Sequence, residues 1–282
     1  MVDFFNPSIT SRLLNSITRH HSGLQSQTSK VASGKRLINA STDPAGLAVS
    51  ERLRSDLAAF RQAIRNTESG TGFLNVTESG LSAISDLLTR GRELAAQAAG
   101  GTIGGSQRQA INVEFQQIVS EIDRIAQSTQ FNGQNLLNGD LAPAAPPVEL
   151  QVGTGGTAND RISLNVIDPA DSASLGVAGL DLSTAAGAQA ALTPLENAQQ
   201  TVLDNRSSAA SLAGRLEHTV AASRTSFEAL TAAQSQLADA DIAQEISDLG
   251  NTLLRLQVSI RALALQSRES ADNVGRLLNV RA

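Results

Sequence analysis

Residues that could perform acid–base or metal chemistry are few and far apart in this chain. The three histidines are His20, His21 and His218, and none has the HExxH or similar spacing that brings two imidazoles to one metal ion. There is no cysteine, so disulfides, thiolate nucleophiles and cysteine metal sites are excluded. We therefore expect no bound metal and no cofactor.

Other catalytic signatures are also missing from the sequence. No GxSxG nucleophile elbow occurs among the serines, and the segments SGTG and GTGG lack the Lys-Ser/Thr pair of a phosphate-binding loop. Asp239 and Asp241 are close enough for acid–base work, but two carboxylates at a helix start are better explained as partners of the helix dipole. We expect a protein that is not an enzyme, either a self-assembling structural protein or a helical adaptor.

The composition favours long helices over a compact sandwich. The 282 residues are 41% hydrophobic, with seven Phe and no Trp or Tyr, so the core must rely on Leu, Ile, Val and Ala, which suit helices packed along their lengths. The net charge of −5 disfavours a nucleic-acid surface. The N-terminus lacks the pattern of a secretory signal, and no apolar run is long enough to span a membrane; taken alone, these two features predict a cytoplasmic protein.

Proline positions divide the chain into two long helical tracts. The prolines are at 7, 44, 143, 146, 147, 169 and 194, and since proline is poorly tolerated inside helices, residues 45–142 and 195–282 are predicted to form rods. In the first tract the Gly-rich segment AAGGTIGGS separates two helices. The second helix carries one apolar face, made of Ile111, Phe115, Ile118, Ile122 and Ile125, so we predict a helical hairpin.

The region between the two tracts has a different pattern. The segments VELQVG and RISLNV alternate apolar and polar residues around the turn formers GTGGTAND, which predicts a β-hairpin at about 148–166. Residues 168–190 are small and loop-like, with room for one short strand. No second globular domain fits there.

The strongest periodicity lies in the second tract. Seven apolar residues step by four and three without exception, as in a coiled-coil seam: Ile242, Ile246, Leu249, Leu253, Leu256, Ile260 and Leu263. The N-terminal segment has a weaker version, with Leu13, Ile17, Leu24 and Val31 in phase and His20 and Gln27 interrupting it. Two terminal helices with facing seams would explain both patterns.

The C-terminal segment is apolar on more than one side. Further apolar residues lie outside the seam, at Leu254, Val258, Leu265, Val274, Leu277, Leu278 and Val280. On pattern alone, the seams could simply be the core of a soluble bundle. A helix that is apolar on several sides must be buried on several sides, however, so we expect other copies of the chain to cover the remainder.

Four segments carry a resemblance to a known family. They are VASGKRLINASTDPAGLAVSERLRS at 31–55, RNTESGTGFLNVTESGL at 65–81, EIDRIAQSTQFNGQNLLNG at 121–139 and SQLADADIAQEISDL at 235–249. Together they resemble bacterial flagellin, the subunit of the flagellar filament. The TDPAG and SGKR elements are also similar to the hook–filament junction protein, a relative with the same helical ends, which we keep as the alternative beside a helical adaptor.

The resemblance implies a fold that is mainly α: a long antiparallel helical rod and coiled coil formed by the two ends, with a small β-hairpin region in the middle. The inner-core domain would comprise residues 1–43 and 240–282, and the outer-core rod residues 44–239. Since the middle of the chain leaves almost no room for variable domains, the resemblance is to a short flagellin that self-assembles into the filament for swimming motility.

The resemblance also implies partners and a location outside the cell. Besides other copies of the chain, these are the flagellar type III export apparatus, an export chaperone on the C-terminal helix, and the hook-associated and cap proteins. Secretion would need no cleaved signal. Neither a nucleic acid nor a membrane is an expected partner.

Three sets of residues are expected to carry these roles. The polymerisation interface would use Leu13, Ile17, Leu24, Val31, Ile242, Ile246, Leu249, Leu253, Leu256, Ile260 and Leu263. The connector between the domains would use Gly34 as a left-handed helix end, Asp43 and Pro44 as the start of the next helix, and Leu37 and Ile38 as docking residues. Leu88, Arg90 and Glu114 match the family's patch recognised by Toll-like receptor 5.

Overall fold

The computed structural model describes the backbone of residues 7–279 and the side chains of residues 9–269 and 271. Its helices are α1 (Pro7–Ser33), α2 (Pro44–Ala99), α3 (Gly105–Ser128), α4 (Ala185–Ala238) and α5 (Ile242–Asn279); its strands are β1 (Gln130–Phe131), β2 (Gln134–Asn135), β3 (Glu149–Gln151) and β4 (Arg161–Ser163). The predicted mainly α fold is confirmed. The apolar side chains of Val274, Leu277, Leu278 and Val280 lie outside the described ones.

Contacts divide the chain into two compact units. The terminal unit comprises Met1–Ser55 and Ala229–Ala282, and the central unit comprises Asp56–Glu228. The terminal unit contains an antiparallel pair made by α1 and α5. The predicted domain bounds at 43/44 and 239/240 remain a prediction; the contacts place the division about ten residues further into the long helices.

The core of the central unit lies where α2, α3 and α4 meet. The predicted α3 face is confirmed, because Ile111, Phe115, Ile118 and Ile122 are buried and Ile125 packs against them. From α2 the core receives Leu81, Ile84, Leu88 and Leu94, and from α4 it receives Leu195, Val202 and Leu216. Two ion pairs join α2 to α4 on the surface, Glu78 with Arg206 and Glu68 with Arg224, each at 2.7 Å.

Glycine on α2 allows close approach of a neighbouring segment. A Cβ added to the buried Gly80 would lie 2.8 Å from Leu137 Cδ1 and 2.9 Å from Thr129 Oγ1. The same atom at Gly72 would meet only Phe131 Cε2, at 3.9 Å. The segment that follows α3 therefore packs directly against the α2 backbone at Gly80.

Two β-hairpins interrupt the helical fold. The hairpin predicted at about 148–166 is confirmed: β3 and β4 are antiparallel, with Glu149 opposite Ser163 and Gln151 opposite Arg161. The β1–β2 hairpin was not predicted, although it turns on Asn132 and Gly133, both with positive φ. An Asn-Gly pair of this kind is a strong hairpin signal.

Helix side chains hold the irregular segment 164–184 in place. Asn205 of α4 accepts from the Asp168 N–H and donates to its carbonyl, both at 2.9 Å. Asp123 of α3 accepts from the Ser172 N–H at 2.8 Å, and Asn112 accepts from the Leu182 N–H at 2.9 Å. These bonds replace the ladder that a regular strand would have provided.

The second helical tract begins earlier than predicted. The structure places the start of α4 at Ala185, so Pro194 lies inside the helix, and the loop predicted for 168–190 ends six residues sooner. Proline costs a helix the hydrogen bond from its missing N–H. Burial of Ala188, Ala191 and Leu195 on both sides of Pro194 supplies packing that offsets this cost.

Candidate interaction surface

The face of α5 that packs on α1 is half polar. Seven of its half-buried positions step by four and three, at Glu245, Leu249, Thr252, Leu256, Ser259, Leu263 and Gln266. The prediction that the whole apolar heptad faces α1 is therefore wrong for four of its seven members. Ile242, Ile246, Leu253 and Ile260 are 39–53% exposed, because α5 is rotated so that only every second apolar layer reaches α1.

Two apolar stripes of α5 are left uncovered by the described part of the chain. The four exposed heptad residues form the first stripe, which lies beside the face of α5 that packs on α1. Leu254, Val258 and Leu265 form the second, on the side of the helix away from α1, and they are 61%, 65% and 64% exposed. Large aliphatic side chains exposed in a contiguous array mark an interaction surface.

The α1 half of the seam follows the predicted phase. Leu13, Ile17, Leu24 and Val31 are all half-buried, and so are the interrupting residues His20 and Gln27. The Oε1 atom of Gln27 is buried without a hydrogen-bond partner. The α1 stripe is therefore as mixed in polarity as the α5 face that it covers.

Polar contacts mark both ends of the α1–α5 pair. Lys30 Nζ lies 3.0 Å from Glu245 Oε1, with side chains 23% and 14% exposed. At the other end, Gln266 Nε2 lies 3.2 Å from Thr10 Oγ1. Between them, a Cβ at Gly23 would lie 3.9 Å from Thr252 Cγ2, an ordinary van der Waals contact, so Gly23 and Thr252 lie opposite each other in the pair.

The connector after α1 has the local geometry that the sequence predicts. Gly34 has a φ of +67° and follows the last residue of α1. The Asp43 side chain accepts from the Gly46 N–H at 2.8 Å, at the start of α2 with Pro44 as its first residue. Leu37 is buried and Ile38 is half-buried, so Leu37 is already covered within the chain.

A short backbone ladder joins this connector to the segment before α5. The Arg36 N–H donates to the Ala238 carbonyl at 2.7 Å, and the Ala240 N–H donates to the Gly34 carbonyl at 3.0 Å. The Arg36 guanidinium also donates to the Leu237 carbonyl at 2.8 Å. No local sequence pattern predicts this contact, because its residues are about 200 positions apart.

The two aspartates before α5 serve the helix start. Asp241 Oδ1 accepts from the N–H groups of Ala243 and Gln244, at 3.0 and 3.2 Å, which is an N-cap. Asp239 Oδ2 accepts from the Ser235 hydroxyl at 2.6 Å. Both carboxylates are thus engaged in local structure, as the sequence suggested.

The predicted receptor patch is only partly at the surface. Arg90 lies 2.7 Å from Glu114 and 3.1 Å from Glu93, with about half of each side chain exposed. The hydrogen bonds that Arg90 donates to Glu114, and then to Glu93, raise the pKa of Arg90. Leu88, however, is fully buried in the core, because it lies on the α2 face that packs on α3 and α4. Its assignment to a surface patch is therefore wrong for the folded chain.

Charge is distributed unevenly between the two units. The terminal unit has 12 basic and 9 acidic residues, a formal charge of +3, whereas the central unit has 10 basic and 18 acidic residues, a charge of −8. Among the described residues no cluster of three or more His, Cys, Asp or Glu could hold a metal ion. Within the same residues, no helix combines the length and apolar character needed to cross a bilayer.

Comparison with known proteins places these features in a family. Residues 6–142 match the family model for the bacterial flagellin N-terminal helical region. A flagellin from Halalkalibacterium halodurans is 33% identical over 90% of this chain and 91% of its own length. The flagellar filament 30.7 kDa core protein of Treponema maltophilum is 32% identical over 91% of this chain and 92% of its own length.

One solved structure shares the fold at low sequence identity. A Vibrio parahaemolyticus protein described as a flagellar hook-associated protein aligns with a TM-score of 0.58 and 15% identity, covering 70% of this chain and 100% of that one. This similarity concerns the fold alone and does not favour the junction protein. Because these flagellar relatives align with about 90% of the chain at 32–33% identity, the chain belongs to the bacterial flagellin family.

Proposed function

We propose that this chain is a structural subunit that self-assembles into the flagellar filament and thereby serves swimming motility. The observation that carries the proposal is the pair of uncovered aliphatic stripes on α5, which leaves seven large apolar side chains 39–65% exposed. A helix with three apolar or mixed faces needs more than one neighbour, and α1 covers only one face. Identical chains repeated head to tail supply such neighbours without closing the assembly.

The assembly test replaces the stripe on the side of α5 away from α1. A chain with Leu254→Ser, Val258→Ser and Leu265→Ser should lose polymerisation, because the apolar area that stabilises the contact is removed. Leu203→Ser, which changes an aliphatic residue of the central unit that is 43% exposed, is the matched control and should still assemble. Seeded electron microscopy and sedimentation measure filament yield. Filaments formed normally by the triple variant, or by a chain truncated before residue 242, would refute the role of α5.

We further propose that both ends are largely disordered before assembly and fold as the polymer grows. The interhelical seam is only half-buried and half polar, while ordering each residue costs about 1–2 kcal/mol of backbone entropy. Neighbouring subunits would supply the missing burial. Limited proteolysis of the monomer should leave a core near residues 45–235, and the same digestion of filaments should spare the ends. Termini that resist protease in the monomer would contradict this.

The interface residues follow from the same reasoning. On α5, the members exposed within one chain, Ile242, Ile246, Leu253 and Ile260, would contact other copies directly. The half-buried members Leu249, Leu256 and Leu263, together with Leu13, Ile17, Leu24 and Val31 on α1, would act by stabilising the helix pair that presents them. Serine at Leu253 should therefore reduce polymerisation without changing the α1–α5 pairing.

The connector is proposed to influence filament shape. Gly34, Leu37, Ile38, Asp43 and Pro44 lie between two long helices, and the Asp43 cap and Pro44 determine where the second helix begins. Pro44→Ala should alter the waveform of filaments viewed by dark-field microscopy while leaving monomer stability nearly unchanged. An unaltered waveform would contradict the proposed role of the connector in filament shape.

Export and end-of-filament partners are proposed on family grounds. The chain would be secreted by the flagellar type III export apparatus, with a chaperone on the C-terminal helix, and would meet hook-associated and cap proteins outside the cell. The exposed α5 stripes suit a chaperone that shields apolar surface before assembly. A chaperone that binds the wild-type chain should bind the triple serine variant more weakly, as measured by calorimetry.

Recognition by Toll-like receptor 5 would rest on Arg90 and Glu114, since Leu88 is inaccessible in the folded chain. A reporter-cell assay with Arg90→Ala measures this, and Arg124→Ala is the matched control because Arg124 forms a similar exposed pair with Glu121. Equal responses to both variants would remove the patch from consideration.

A further inference from the structure

The apolar seam between α1 and α5 does not by itself define how the two helices align. Its aliphatic layers repeat every seven residues on both sides, with Ile17, Leu24 and Val31 on α1 and Leu249, Leu256 and Leu263 on α5. The positions midway between these layers are polar on both helices, with His20 and Gln27 on α1 and Thr252 and Ser259 on α5. Sliding one helix by seven residues therefore again places aliphatic layers opposite aliphatic layers, and most of the seam is kept.

The contacts at the base of the pair do not share this repeat. They are the Lys30–Glu245 ion pair, the ladder that joins residues 34–36 to 238–240, and the bond from the Arg36 guanidinium to Leu237. All lie within the terminal unit. We propose that this set of contacts, the clasp, selects one register of the terminal helix pair from those that the seam allows, a role that rests on the assembly function above.

Each alternative register leaves a charge without its partner. In the observed alignment Lys30 lies opposite Glu245, and Gly23 lies opposite Thr252. A slide of seven residues in one direction brings Thr252 opposite Lys30; a slide in the other direction brings Glu245 opposite Gly23. Because the Glu245 side chain is only 14% exposed, losing its ammonium partner there is strongly unfavourable.

The ladder adds a second constraint that is independent of charge. Backbone N–H groups of Arg36 and Ala240 are both used in it, and a shift by one heptad would break both bonds together. Arg36 is exposed and Ala240 is half-buried, but the neighbouring side chains of Leu37 and Ala238 are buried, so a shift would also uncover these two apolar residues. The clasp thus combines a specific ion pair with backbone hydrogen bonds that define the position of one helix end relative to the other.

Disulfide trapping reads the register directly, because the chain has no cysteine of its own. The native pair is Gly23→Cys with Thr252→Cys, whose side chains would lie within reach of a disulfide. Two pairs report slides of one heptad in opposite directions, Gly23→Cys with Ser259→Cys and Ser16→Cys with Thr252→Cys. Each double-cysteine chain is polymerised as a minor fraction among cysteine-free chains. Its neighbours then carry no cysteine, so only cross-links within one chain are scored.

The variants separate the clasp from general changes in charge. Lys30→Gln with Arg36→Pro breaks the ion pair, the Arg36 ladder bond and the guanidinium bond. Lys30→Gln alone is milder and is scored if the double variant does not enter filaments. Arg19→Gln, which removes an exposed α1 charge outside the clasp, is the control. Lys30→Glu with Glu245→Lys restores the ion pair in the opposite sense.

In the wild type and the control, only the native cysteine pair should form its disulfide. Breaking the clasp should lower the native yield to half or less and produce a cross-link in one of the shifted pairs, whereas the charge exchange should preserve the native yield. If both clasp variants keep the full native yield with no shifted cross-link, the proposal is overturned. If wild-type chains form no filament, the assembly function fails, and the proposed folding of the ends on assembly fails with it; the cross-links are then scored in the monomer, where absence of the native disulfide overturns the clasp as well.

Discussion

The close approach at Gly80 leads to a graded test of packing along α2. Three helix-interior glycines face different surroundings: an added Cβ would meet its nearest neighbour at 3.9 Å at Gly72, 3.3 Å at Gly91 and 2.8 Å at Gly80. Alanine at each position gains the same helix propensity. The substitutions therefore differ mainly in the contact that the new methyl group makes.

The magnitudes follow from two opposing effects. Replacing glycine by alanine inside a helix stabilises the helix by about 1 kcal/mol. Forcing an extra methyl group into a packed core costs about 1–3 kcal/mol, and at Gly80 the Leu137 side chain in the way is fully buried. We expect Gly72→Ala to stabilise the protein by about 1 kcal/mol and Gly80→Ala to destabilise it by about as much, with Gly91→Ala between them.

Thermal unfolding followed by circular dichroism measures these differences. For a unit the size of Asp56–Glu228, a change of 1 kcal/mol moves Tm by about 2–4 °C. Gly72→Ala and Gly80→Ala should then differ by about 4–8 °C, with Gly72→Ala above the wild type and Gly80→Ala below it. A Gly80→Ala protein that gains as much stability as Gly72→Ala would refute the argument from close approach.

Three further outcomes can be tested on the same chain. Asn205→Ala should cost about 2 kcal/mol in chemical denaturation, because it removes two hydrogen bonds of a buried side chain and leaves the Asp168 N–H and carbonyl without their partner, whereas Ala at the exposed Gln200 should change stability by about 0.5 kcal/mol or less. Thr157 lowers the pKa of Asp160 through hydrogen bonds from its hydroxyl and then its N–H. The stability that this contact gives the hairpin is therefore present above about pH 4 and is lost as the pH falls through the lowered pKa. Hydrogen exchange at the Thr157 amide should show this loss, and Asp160→Asn should abolish the pH dependence. Polymerisation should accelerate as salt rises from low concentration, because screening weakens repulsion between central units of charge −8; a turbidity assay in which salt slows growth would contradict this.

Local pattern was sufficient to predict most of the helical fold and one hairpin. The face from Ile111 to Ile122 and the caps at Gly34, Asp43 and Asp241 depend on neighbours in sequence, so periodicity and side-chain chemistry predict them. The start of α4 was misplaced because Pro194 is tolerated where burial on both sides offsets a lost hydrogen bond. The β1–β2 hairpin was missed although Asn132 and Gly133 signal it.

The interaction surface was harder to predict because it depends on how α5 is rotated. Seven aliphatic residues stepping by four and three look like a single seam, yet the structure shows that Thr252 and Ser259 share the covered face with Leu256. Polar residues of this kind resemble ordinary surface in a sequence. The burial of Leu88 likewise depends on long-range packing of α2 against α4, which no local motif reveals.

The irregular segment 164–184 has a consequence for how this protein can diverge. Asn112, Asp123 and Asn205 bind it mainly through its backbone N–H and carbonyl groups, which every residue type except proline provides in full. Apart from its buried side chains, the segment can therefore change its residues over evolutionary time with little cost to its path. Substitutions should accumulate more slowly at these three helix positions than in the loop whose backbone they bind.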